Sequence, residues 1–272
     1  MQSNNPVFRR SEEFHRGGNA YGNQMYAGNG TSYPGAGGTG TPTTTESRMS
    51  IDSVVQKTGI SLGLVVVAAL ATWILTPEIT SETAGTLYAA MMVGSLGAFA
   101  LSMVNSFKRV ISPGLVMAFC VLEGVALGSL SKYFDAMFGS GVVSGAVIGT
   151  FGAFAGTLAA YKFFDIKVGA RFRMMVTAAV FGMVALSLME LVLQMFDASF
   201  GLFGFGTLGM LTAIAGLVLG VFMLVMDFDF VEQGIANGLP ERESWRAAFA
   251  MTVSLVWIYT NLLRLLAIFS ND

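Results

Sequence analysis

The stretch GTLGMLTAIAGLVLGVFMLVMDF, residues 206–228, carries no charge until Asp227. Its apolar residues cover every side of a helix, where a soluble bundle would show polar residues returning with a 3.6-residue period. Crossing a bilayer takes about 20 mostly apolar residues, within a range near 17–25. The run is too long and continuous for a barrel strand, so a helix must satisfy its backbone polar groups in hydrocarbon.

Six more runs have the same character, at 59–76, 84–106, 112–131, 138–160, 174–196 and 247–269. The expected fold is therefore all-α, a polytopic membrane bundle of seven transmembrane helices within residues 51–272. Composition agrees. The chain is 54% hydrophobic and 12% charged, against about 25% charged in a soluble domain. Mean hydropathy is +0.65. A net charge of −2 gives nothing for nucleic acid to hold.

Residues 1–50 differ sharply. GGNAYGNQMYAGNG (17–30) and GAGGTGTPTTT (35–45) cannot bury enough apolar surface to offset their ordering entropy, so a disordered cytoplasmic tail is expected. It is either simply solvated or uses NPVFRR (5–10) for docking. It lacks the apolar stretch of about 7–15 residues that a secretory signal needs. The first span is then expected to direct insertion and to stay uncleaved.

Lys and Arg positions give an orientation. Arg9, Arg10, Arg16, Arg48 and Lys57 precede the first span or open it. Lys108 and Arg109 lie in the second loop, Lys162, Lys167, Arg171 and Arg173 about the fourth, and Arg242 and Arg246 in the sixth. Of the 15, only Lys132 falls on the other side, and Arg264 lies inside the last span. The N-terminus is expected in the cytoplasm and the C-terminus outside, in a cell (inner or plasma) membrane.

Glycines four apart recur at Gly124/Gly128, Gly141/Gly145/Gly149, Gly152/Gly156 and Gly216/Gly220. Small residues at this spacing let helix backbones approach closely. The density in the fourth span predicts that this helix is central or tightly clasped.

Ionisable groups within spans cost about 2.5–3.5 kcal/mol at mid-bilayer on insertion scales. Glu123 lies midway along the third span and Glu190 in the outer half of the fifth. Asp227 and Asp229 close the sixth, with Glu232 just beyond, and Asn261 and Arg264 lie inside the seventh. One reading is a polar path whose carboxylates bind a cation or a proton. Asp227, Asp229 and Glu232, on neighbouring turns, would supply some of the oxygens a hard cation wants. Burial disfavours a charged carboxylate and a nearby Arg favours it, so an acid beside Arg264 would respond to pH. The plainer readings are interfacial solvation for Asp227 and Asp229, outward snorkelling for Glu190, and an interhelical hydrogen bond for Glu123. For Arg264 they are a charge partner or a snorkelling side chain.

Catalysis finds little support. The single histidine, His15, is in the tail, so no Ser–His dyad fits in the membrane, and Ser144–Gly145 reads as a packing site. Asp227 and Asp229 are two positions apart on one helix and point to different faces, unlike an aspartyl pair. Cys120 is the only cysteine and offers no disulfide or metal spacing. No enzyme and no resident cofactor are expected.

Several segments, in order, resemble the Bax inhibitor family (transmembrane Bax inhibitor motif proteins), in particular its bacterial Bax inhibitor-1/YccA-like branch. They are NPVF at 5–8, SPGLVMAFCVLEGVALGSLS at 112–131, MDFDFVEQGIANGLPERESWRAAFA at 226–250 and VWIYTNLLRLLAIF at 256–269. The resemblance implies six helices around a central seventh, and a pH-sensitive calcium leak channel in which Ca²⁺ is bound only transiently. It also implies an acidic pair joining the sixth and seventh helices as a pH latch. The sixth-helix acid maps to Asp227, with Asp229 second. The seventh-helix position falls at Asn261, whose amide cannot titrate. The alternative implied role is a non-conducting modulator of a membrane protease or another membrane protein under stress.

Overall fold

The computed structural model describes residues 47–80, 83–164 and 166–270. The expectation of a disordered tail falls almost wholly outside them. Seven helices follow one another: α1 Ile51–Leu75, α2 Ala84–Phe107, α3 Pro113–Phe138, α4 Ser140–Phe163, α5 Ala170–Gln194, α6 Thr207–Ala236 and α7 Glu243–Ser270. All seven are long and apolar enough to cross a membrane.

Most helices outrun the hydropathy spans because helix ends obey capping, not hydrophobicity. α1 begins at Ile51, where the spans begin at 59, since Ser50 and Ser53 form a reciprocal capping box. α6 continues eight residues past Phe228 to Ala236 and stops before Gly238, whose φ of 63° is left-handed. α3 and α4 are joined by Gly139 alone, at φ 89°, a conformation that favours glycine.

α7 is the hub. It packs against α6, α4, α1 and α3, and its buried residues lie all round its circumference, from Arg246 and Ala247 to Leu263 and Ala267. In contrast α2 touches only α3, and α5 touches only α6. α5 buries little besides Val176 and Glu190. The remaining apolar side chains, such as Leu75, Phe163 and Met195, stand outward as a hydrocarbon-facing surface.

The glycine expectation needs correction. The closest helix crossing is α1 on α3. A Cβ on Gly124 would stand 2.6 Å from Ala68 Cβ, and one on Gly128 would strike the Ala69 carbonyl. The fourth span is not clasped. Gly141, Gly152 and Gly156 face open space, and Gly145 and Gly149 meet only the tips of Leu266 and Leu262. Four-residue spacing creates a groove, but a close crossing also needs small residues opposite. Ala68 and Ala69 supply them to α3, and nothing does so for most of α4.

At the end where α1 begins, the chain before α1 pairs with the α6–α7 loop. Met49 N–H donates to Leu239 O and Glu241 N–H to Ser47 O, each at 2.7 Å. Below this clasp, Arg246 Nε donates to Glu243 Oε2 at 2.7 Å, both side chains 1% exposed, and Arg246 Nη2 reaches the Arg109 carbonyl at 2.9 Å. Arg246, counted above as a loop charge, is thus a buried anchor in the first turn of α7.

Candidate functional site

α6 and α7 meet along a seam built from small residues on α6 and large ones on α7. Ile258 packs where a Cβ on Gly220 would be, 2.6 Å away, and is fully buried. Asn261 fills the space beside Gly216, and Trp257 Nε1 donates to the Gly216 carbonyl at 2.8 Å. One further turn or so along, the same α6 face presents Asp227. Its carboxylate is buried at 9% exposure and accepts from Ser254 Oγ at 2.6 Å. Among the described residues Ser254 is its only hydrogen-bond partner, and no Lys or Arg pairs with it. Because α6 extends to Ala236, Asp227 lies roughly 13 Å inside the helix end, at 1.5 Å per residue. Interfacial solvation is therefore not its setting.

The latch pairing of Asp227 with Asn261 is not formed. Asn261 donates to the Trp257 carbonyl at 2.8 Å, and it stands seven residues beyond Ser254, about 10 Å along α7. Ser254 occupies the place opposite the acid. Sequence reading passed over it, although a serine seven positions before Asn261 is two turns away on the same face.

The other acids disperse. Asp229 turns to α5 and pairs with Arg173 Nη2, and Gln233 Nε2 donates to it at 2.8 Å. Glu232 accepts from Tyr161 of α4 at 2.6 Å. The three carboxylates expected to share a cation thus face three different helices, and no cluster of three metal-ligating side chains exists among the described residues. Their one-, two- and three-residue offsets rotate them around α6, and each finds its own neighbour.

Glu190 does not snorkel. It is 1% exposed and accepts from the backbone N–H groups of Gly201 at 2.9 Å and Phe200 at 3.2 Å. Arg264 has no acid beside it. It donates to the carbonyls of Leu202 at 3.1 Å and Gly209 at 3.3 Å, and its guanidinium lies 4.9 Å from the Phe203 ring centre. Together these two brace the α5–α6 loop.

Glu123 is half-buried and makes no hydrogen bond among the described residues. It shares a stripe of α3 with Phe119 and Ser131, which meet Phe249 edge-on at 5.0 Å and Tyr259 at 2.6 Å. Ser254 lies five positions from each of those α7 residues, about 140° round the helix. Glu123 and Asp227 therefore sit on opposite sides of α7, and no single polar path joins them here.

This arrangement, seven apolar helices about a central one with a lone carboxylate in its seam, defines a multi-pass integral membrane protein. The family model described as "Bax inhibitor 1 like" matches residues 5–271, and the chain belongs to that family. No curated protein matches the chain.

Proposed function

We propose that the chain is a proton-sensitive leak pathway for cations, with calcium the favoured ion, in a cell membrane with the N-terminus cytoplasmic. Buried Asp227, with one hydroxyl partner and no counter-ion, carries this reading. An uncompensated carboxylate in low dielectric is stable only as the neutral acid or beside a cation. Proton and cation then compete for the same oxygens, and Ser254 holds them toward α7.

The seam is shut on the far side of Asp227 by Ile258 against Gly220 and by Asn261 and Trp257 against Gly216. Passage requires α6 and α7 to part there. A shut seam also suits a non-conducting modulator of a membrane protease, the second reading. Calcium flux into liposomes separates them, since the leak reading requires flux that depends on Asp227 and the modulator reading requires none.

A further inference from the structure

A cavity of about 310 Å³ opens where α1, α3 and α7 meet at the end of the bundle that holds the start of α1. Ser47, Lys57, Pro113, Glu241, Arg242 and Trp245 line it. Lys57 Nζ lies 2.9 Å from Glu241 Oε1 and 5.9 Å from the Trp245 ring centre. We infer that this cavity seats the phosphate group of an anionic phospholipid from the adjoining leaflet.

Charge favours an anion there. Lys57 and Glu241 cancel, and Ser47 also donates to that glutamate. Glu243 is taken by Arg246. Asp52, five positions before Lys57, lies on another side of α1. Arg242 in the wall, with exposed Arg48, Lys108 and Arg109 on the neighbouring segments, leaves the region positive. α3 and α7 both begin here, so their positive dipole ends add to the field.

The apolar surround favours a lipid over a free phosphate. One turn further into the membrane from Lys57 and from Pro113, Ile60 and Met117 are 42% and 36% exposed. An indole in the wall suits the interface, where one end of a ligand is wet and the other dry. A diacyl lipid would place its phosphate among the cations and its chains over those side chains.

The test uses the full chain released from nanodiscs holding equal phosphatidylglycerol and phosphatidylcholine, with retained lipid counted by native mass spectrometry. Phosphatidylglycerol should be retained in preference. Arg242→Gln should cut that preference about tenfold, the effect of one charge-assisted contact, and Arg242→Lys should restore much of it. Glu241→Gln should raise it by removing a repelling carboxylate, a gain that misfolding does not produce. Equal retention of both lipids, or a preference untouched by Arg242→Gln and Glu241→Gln, would overturn the site. Displacement of phosphatidylglycerol by millimolar inorganic phosphate would overturn the lipid as its occupant.

Discussion

Ser254 Oγ donates to Asp227 Oδ2 at 2.6 Å, joining the middle of α7 to α6 through a carboxylate that has no counter-ion. Asp227→Asn should keep the hydrogen bond while removing the charge. Relief of desolvation should leave thermal stability equal or raise it by up to about 1–3 kcal/mol. Ser254→Ala should cost about 1–3 kcal/mol, because the acid is left unsatisfied. Thermal unfolding in detergent reads both. A clear loss of stability in Asp227→Asn would mean that the charge itself holds the seam.

Asn261 is a packing residue in this structure, not the second half of a latch. Asn261→Asp should therefore leave the pH response of the Asp227 site in place, since the two are about 10 Å apart along the bundle. Gly216→Ala should cost about 1–3 kcal/mol through collision with Asn261. A double-mutant cycle between positions 227 and 261 should show coupling near zero, and strong coupling would restore the latch.

The glycines separate cleanly. Gly124→Ala and Gly128→Ala should each destabilise by about 1–3 kcal/mol or more, since the methyl meets α1 backbone. Gly152→Ala and Gly156→Ala, facing open space, should be neutral or stabilising by up to about 1 kcal/mol through helix propensity. Melting temperatures of the four variants decide this, and equal losses at all four would refute the assigned crossing.

Glu241 links the segment before α1 to the α6–α7 loop. Hydrogen bonds from Ser47 and Lys57, with the Lys57 charge, hold its carboxyl below the usual glutamate range. A depressed folded-state value means that its contribution is present above the ordinary pKa of about 4.3 and lost as pH falls through the lower folded value. Amide exchange at Met49 and Glu241 should thus be slow at neutral pH and quicken in strong acid. In Glu241→Gln it should be faster already at neutral pH.

Much of the fold was legible because hydrocarbon tolerates so few solutions. The run at 206–228 and its six counterparts yielded seven helices, with the hub role of the last coming from the family resemblance. Helix ends were less legible, as Ser50, Asp229 and Glu243 extend helices through polar sequence that hydropathy discounts. Asp227 stood out by cost alone, yet its partner did not. Ser254 is an ordinary residue whose role appears only when α6 and α7 are brought together. Arg173, Tyr161 and Arg246 were seen as interfacial residues or charges, but their pairing with Asp229, Glu232 and Glu243 depends on rotation about each helix. The fourth-span glycines misled because spacing reports one surface and packing needs two.

The most direct measurement is calcium flux into liposomes carrying the full chain, at pH 7.5 and at an acidic pH, for the native protein and Asp227→Asn. Competition between proton and cation at Asp227 predicts that native flux falls on acidification. The variant should be slower and flat with pH, by about tenfold if the carboxylate stabilises the passing ion by about 1.4 kcal/mol. Flux that is the same in both proteins at both pH values would contradict a cation path through the α6–α7 seam.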